Sequence, residues 1–296
     1  MVSVLLNVAL FTAFRSFSIV RINTFQAVVV NYFVCTLTGL FFIETENLPQ
    51  LFNYYAPWIP SALVLGILLI VTFTLMGITT RQISMTVASI AAKMSMVIPV
   101  LFAIYLFNIE TKQFDLINTL GMILGILSII FSSLKASSVN EETQRFRWSF
   151  ILLPLSVFFL SGMVDTIINY ANIYHISAQG LRIFPVQAFF IAGVIGASWL
   201  YFKKERFMRR SLIGGLYLGI PNYFSIYFVL KALNAFENDG SLMFPILNIS
   251  IILLSSLVAL AFFKEKLRWI NWLGLIIAIG AIFMISYQEI LIYINS

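Results

Sequence analysis

Apolar residues come along this chain in long blocks, not in the alternation of a half-buried strand or the one-sided stripe of a surface helix. Breaking the blocks at charge, polar density or Pro/Asn/Gly clusters leaves ten runs. These are Met1 to Val20, Phe25 to Ile43, Trp58 to Thr79, Ser84 to Phe107, Leu116 to Leu134, Trp148 to Tyr170, Ile183 to Phe202, Leu212 to Leu233, Ser241 to Phe263 and Trp269 to Tyr287. A bilayer core takes about 20 apolar residues per helix, and each run is of that order. The pattern predicts an all-α, polytopic integral membrane protein with ten transmembrane helices. The connections are too short to house a soluble catalytic domain. Met1 to Phe14 lacks a basic start and a small-residue cleavage pattern, so it reads as the first span and not as a signal peptide. Arg15 interrupts that span and must reach the headgroups or face protein.

Composition excludes a soluble alternative. Of 296 residues, 60% are hydrophobic and 10% charged, against about 45–50% and about 25% in soluble domains, and mean hydropathy is +0.97. The net charge of +6 acquires meaning once the cations are placed on the loops. With ten spans, one side carries Arg15, Arg21, Arg81, Lys135, Arg145, Arg147, Lys203, Lys204, Arg206, Arg209, Arg210, Lys264, Lys266 and Arg268. The other side carries Lys112, Arg182 and Lys231, and Lys93 falls inside a helix. The positive-inside rule makes the first side cytoplasmic and puts both termini outside. The segment KKERFMRR (203 to 210) is then an orientation signal that meets anionic lipid, not a nucleic-acid site. Cys35, the single cysteine, has no intrachain partner, which excludes a disulfide framework and a Cys/His metal site. No cofactor is expected.

A shift of 155 residues lays Leu75 to Glu110 over Leu230 to Glu265. Lys93 then meets Asn248 and Glu110 meets Glu265; a two-residue gap brings Leu120-Gly121 onto Leu273-Gly274. Five runs fall in each half, and five is odd, so the second half enters the membrane in the opposite sense to the first. That is the inverted-repeat plan of many secondary transporters. The expected division is a first five-helix repeat over 1–134, a polar linker over 135–147 (KASSVNEETQRFR) and a second five-helix repeat over 148–296.

With SIAAKMSMVIPVLFAIYLFNIE (89 to 110) in one half and FPILNISIILLSSLVALAFFKEKLRWINWLG (244 to 274) in the other, the chain resembles the EamA branch of the drug/metabolite transporter superfamily. In each half a fourth helix runs into a Glu and a fifth opens near Leu-Gly. The resemblance implies a carrier of the bacterial inner membrane that moves small metabolites, amino acids or drugs by alternating access, often outward, as a monomer or homodimer. Members are commonly drawn with cytoplasmic termini, and the basic-residue count departs from that.

Polar residues inside the runs are the candidates for function. Lys93 lies about 14 Å into its helix, where a lysine costs about 2.5–3.5 kcal/mol and so faces the bundle interior or a watery cavity. It is a site for an anionic substrate group, or an interhelical tie. Asn248 lies at the matching depth and is either a second substrate contact or packing glue; Pro99 and Pro245 stand by to free carbonyls or to kink their helices. Asp165 falls about 25 Å from the basic side, about 10 Å beyond Lys93, so a direct pair between them is not favoured; it is a proton-coupling carboxylate or an interfacial group. Asn222 and Asn31 either contact substrate or bond between helices. Glu110 and Glu265 read as structural helix-end acids, capping or pairing with Lys112 and Lys266. His175, in a loop, has no expected role in transport or metal binding. Trp58, Trp148, Trp269 and Trp272 read as interfacial anchors.

Two other classes compete with a carrier. A membrane-embedded enzyme needs a nucleophile or metal set such as HExxH or GxSxG, and the sequence has neither. A non-transporting scaffold would have little with which to signal. The expected function is therefore secondary active transport of a small-molecule substrate by a protein that is not an enzyme.

Overall fold

The computed structural model describes residues 1–53, 55–105, 115–134, 149–176, 180–235, 240–288 and 290–291. The expected linker 135–147, Glu110 and Trp148 lie outside them. The helices are α1 (Val2–Ile19), α2 (Thr24–Phe41), α3 (Ile59–Gln82), α4 (Met85–Met94), α5 (Val97–Tyr105), α6 (Leu116–Ser133), α7 (Ser149–Tyr174), α8 (Gly180–Phe202), α9 (Arg209–Ala235), α10 (Gly240–Ala261) and α11 (Trp269–Ile285), with a 3₁₀ segment at Thr45–Phe52. Among the described residues, eight helices are long and apolar enough to cross a membrane: α1, α2, α3, α6, α7, α8, α9 and α10. Met85–Pro99 and α11 are shorter apolar segments. The chain is thus an all-helical, multi-pass membrane protein.

The fourth predicted run is not one helix. It breaks at Ser95 and Met96 into α4 and α5, and the cause is Pro99. A proline ring clashes with the carbonyl four residues back and has no N–H to give it, and that carbonyl belongs to Ser95. Ile98 N–H bonds Ser95 O instead at 3.0 Å or less (2.9 Å), a tighter turn that ends the first segment. The sequence placed Pro99 in the run with two readings open, a kink or freed carbonyls, and did not anticipate a division into two helices.

The helices pack in three layers. The middle one holds α1, α4, α7 and α10; α2, α3, α8 and α9 lie to one side, and α6 and α11 to the other. The third layer is the most closely fitted. Asn118 sits in the first turn of α6 and its side-chain N–H₂ bonds the last carbonyls of α11, Ile285 O at 2.9 Å and Met284 O at 3.3 Å. Asn271 sits in the first turn of α11 and reaches the end of α6, bonding Ser132 O and Leu134 O, both at 2.8 Å. Each amide satisfies carbonyls that a helix C-terminus leaves open. Small residues let the backbones meet: a Cβ on Gly274 would lie 2.4 Å from Ser132 N, and one on Gly121 3.0 Å from Ala281 O.

A similar exchange joins the first layer. Gln26 of α2 bonds Arg206 O, Met208 N–H and the Ser211 hydroxyl across the α8–α9 turn. Gln187 of α8 accepts from the Trp58 indole at 2.8 Å and donates to Leu51 O at 3.0 Å across the α2–α3 connection. Trp58 is therefore not an interfacial anchor: it is 6% exposed, because its N–H has a buried partner. Trp269 and Trp272 are exposed, as the anchor reading requires.

These contacts bring the α1–α2, α3–α4, α8–α9 and α10–α11 connections to one end of the bundle, the basic end. Three residues there have left-handed backbones, Arg21 (φ 55), Lys204 (φ 51) and Lys264 (φ 51). At Arg21 the turn is a helix-ending motif in which Ile22 N–H returns to Phe17 O at 3.0 Å, and glycine is the usual occupant of its left-handed position.

Candidate functional site

The middle layer carries the polar residues that the outer layers do not use. Lys93, in the last turn of α4, is neither sealed nor fully exposed. Its ammonium donates to Asn7 Oδ1 of α1 at 3.1 Å, and Asn7 is held in turn by its own N–H₂ on Ser3 O at 2.9 Å. Asn248 of α10 reaches the α4–α5 break from the other side, with its N–H₂ 3.4 Å from Lys93 O and 3.3 Å from Met96 Sδ. It is 7% exposed. Lys93 and Asn248 thus meet where α4 has run out of regular backbone, at the Lys93 carbonyl just before the Ser95–Met96 break.

Asp165 of α7 belongs to the same constellation. It faces Ser95 and lies within electrostatic range of Lys93, and it retains exposed surface. Among the described residues the two form no direct ion pair, as the sequence led one to expect, yet packing of α7 against α4 keeps them within electrostatic range. Gly162 helps close the distance, since a Cβ there would lie 2.4 Å from Ile98 Cδ1.

Toward the basic end the middle layer closes. Ser89 of α4 and Ser255 of α10 meet hydroxyl to hydroxyl at 2.7 Å. One turn further, Glu265 caps α4: its carboxylate takes the Ser84 hydroxyl at 2.6 Å and Met85 N–H at 2.9 Å. An anion at a helix N-terminus meets both unpaired N–H groups and the positive dipole end. The same carboxylate, 5% exposed, pairs with Arg15 Nε at 3.2 Å, and Arg15 also bonds Thr80 O at 3.1 Å and Arg81 O at 3.3 Å. Glu265 therefore caps a helix other than its own, and its cation is Arg15, not Lys266. Arg15 faces protein.

Asn31 and Asn222 lie elsewhere, in the first layer. The Asn222 N–H₂ donates to Asn31 Oδ1 at 3.1 Å, and both are buried. Cys35 joins them through Gly219 O at 3.4 Å. This is a tie between α2 and α9, and it does not touch the Lys93 constellation. His175 lies 3.4 Å from the Tyr170 hydroxyl. Among the described residues no three His, Cys, Asp or Glu side chains group to hold a metal.

At the end away from the basic one, Arg182 of α8 pairs with Glu44 at 2.5 Å beside a cavity of about 210 Å³ lined by Phe42, Phe189, Tyr223 and Tyr227. Sequence reasoning passed over this cavity and over Asn7, Gln26, Gln187, Asn118 and Asn271. For two of these pairs a signal exists: Ile-Asn-x-Leu-Gly occurs at 117–121 and again at 270–274, and Gln-Ala precedes an apolar triplet at 26 and at 187.

The chain is similar to an uncharacterized protein of Haemophilus influenzae, with 26% identity over 270 residues, 89% of this chain and 89% of that one. It is similar in fold to a protein of known crystal structure at a TM-score of 0.57, covering 97% of this chain and 96% of that one with 10% identity. No family model matches.

Proposed function

We propose that this protein is a secondary active transporter of the EamA type. In this reading ten spans in two inverted halves, 1–134 and 148–296, move small metabolites, amino acids or drug-like solutes across the bacterial inner membrane by alternating access. The observation that carries the reading is the middle-layer constellation: a partly exposed Lys93 at a helix break, with Asp165 and Asn248 around it, in an otherwise apolar bundle. Intramembrane charges mark transport pathways, and broken helices at mid-depth form transporter sites.

Packing supports the inverted halves. Exchange α1 with α7, α2 with α8, α3 with α9, α4 with α10 and α6 with α11. The α2–α9 contact then becomes α3–α8, α1–α9 becomes α3–α7, and α4–α7 becomes α1–α10, all of which occur; α2–α8, α4–α10 and α6–α11 map onto themselves. The reciprocal Asn118 and Asn271 bonds, and those of Gln26 and Gln187, follow the same exchange. On this plan the Ser89–Ser255 contact and the Glu265 cap form the closed gate at the cytoplasmic side, and the site opens outward. Asn31 and Asn222 are part of the wall.

The test is uptake of a pooled library of amino acids, carboxylates and nucleosides into proteoliposomes, read by mass spectrometry. At least one solute should accumulate above protein-free vesicles, and Lys93→Ala should lose that accumulation while remaining folded. Equal accumulation by wild type and Lys93→Ala, or none by either, would overturn the reading.

A further inference from the structure

Apart from the middle-layer site, the basic end contains a cleft of about 430 Å³ between the α1–α2 turn, the end of α3 and the α8–α9 turn. We infer that this cleft is a binding site for a phosphate group carried on a small organic or glycerol moiety. The inference is independent of the transport reading.

The chemistry comes from what the lining groups have left to offer. Arg21 and Arg81 both border the cleft, and among the described residues no carboxylate pairs with either guanidinium group. The Glu265 carboxylate at this end is occupied by Arg15, Ser84 and Met85. Asn23 also borders the cleft; its Oδ1 accepts from Gln26 N–H at 3.2 Å, which leaves its N–H₂ to donate. The Ser18 hydroxyl donates to Arg15 O at 2.8 Å. The cleft therefore presents an excess of donors, two of them cationic and planar, and such a fork matches phosphate oxygens. Phe17, Ile22 and Met208 also line the cleft, Phe17 and Ile22 buried and Met208 exposed. That apolar lining suits the carbon skeleton attached to a phosphate better than a bare inorganic ion.

Arg21 has a left-handed backbone, which glycine adopts without a steric penalty, and it borders the cleft. Lys204 has the same backbone conformation at the same end but does not line the cleft, which makes it a matched control.

Two sources share this chemistry, an anionic lipid headgroup and a soluble phosphorylated metabolite, and two arms separate them. In the first, the purified full-length protein in detergent is examined by native mass spectrometry with added phosphatidylglycerol or phosphatidylcholine. In the second, glycerol 3-phosphate is titrated into the protein by calorimetry. At least one of phosphatidylglycerol and glycerol 3-phosphate should bind, and Arg21→Gly and Arg81→Gln should each weaken it about tenfold or more, the loss of one charge-assisted bond. Lys204→Gly should change it less than about twofold. Arg21→Gly relieves backbone strain, so it keeps the fold while removing the charge. Retention of the lipid alone identifies a headgroup site, and binding of glycerol 3-phosphate alone a metabolite site. Binding of neither probe overturns the proposal. So does an equal loss in Lys204→Gly, which would mean a diffuse positive surface.

Discussion

Asparagine amides sit on open helix carbonyls in two places, the α6–α11 pair and the middle layer, and the two surroundings could hardly differ more. Between α6 and α11 each amide takes two carbonyls of the opposite helix end, with glycines bringing backbone onto backbone. In the middle layer Asn248 makes one long carbonyl bond, to Lys93 O at 3.4 Å, and a contact to Met96 Sδ at 3.3 Å, beside an ammonium and a carboxylate that are not sealed by protein. The first arrangement consumes its hydrogen-bonding capacity and fixes two helices. The second leaves capacity unspent at a break in the backbone, where a ligand can use it. Polar residues in a membrane bundle are therefore better judged by what remains unpaired than by their presence.

Four substitutions probe that contrast. The largest effect is expected from Gly274→Ala, whose new methyl would lie 2.4 Å from Ser132 N. Backbone cannot rotate away as a side chain can, so overpacking should cost about 3 kcal/mol, read as a fall in the denaturation midpoint in detergent. Gly280→Ala is the matched control, since nothing lies within 4 Å of its added carbon. Next comes Lys93→Ala, which should reduce flux about tenfold or more, the worth of a charge-assisted bond, with the denaturation midpoint unchanged or raised. A midpoint that falls while flux persists would make Lys93 a tie like Asn118. Third, Asn271→Ala leaves the α6 carbonyls open and should lower stability by about 1–2 kcal/mol without altering the substrate concentration at half-maximal flux. The smallest stability effect belongs to Asn248→Ala, under about 1 kcal/mol; its mark should be weaker substrate affinity in the same flux assay. Equal stability losses in Asn248→Ala and Asn271→Ala would erase the distinction between the two regions.

Much of the helical framework was legible because hydropathy averages over whole spans. The expected runs Met1 to Val20, Leu116 to Leu134 and Trp269 to Tyr287 end within a few residues of α1, α6 and α11. What hydropathy could not convey was relative height. The electrostatic approach of Asp165 to Lys93 was not legible, because no residue count reveals where a helix starts relative to its neighbour. Trp58 was misread because an indole at a helix end looks the same whether lipid or Gln187 receives its N–H. The break in the fourth run was visible as Pro99, but the sequence does not say whether a membrane proline bends a helix or divides it. Lys93 stood out without any structure, since an isolated charge in an apolar run has few permitted surroundings. Its neighbours Asn7 and Asp165 come from other helices, at 86 and 72 positions' remove, and only packing brings them in.

The left-handed turns at Arg21, Lys204 and Lys264 matter at a different stage of the protein's life. Backbone strain is felt only once a helix has formed and must stop, whereas a side-chain charge acts on the nascent hairpin as it enters the bilayer, before any tertiary contact exists. A glycine at any of these three positions would ease the finished turn by about 1 kcal/mol and strip a cation from the hairpin while its orientation is being decided. On the orientation read from the basic residues, the folded molecule keeps a small permanent strain at one end for the sake of a charge that acts during insertion.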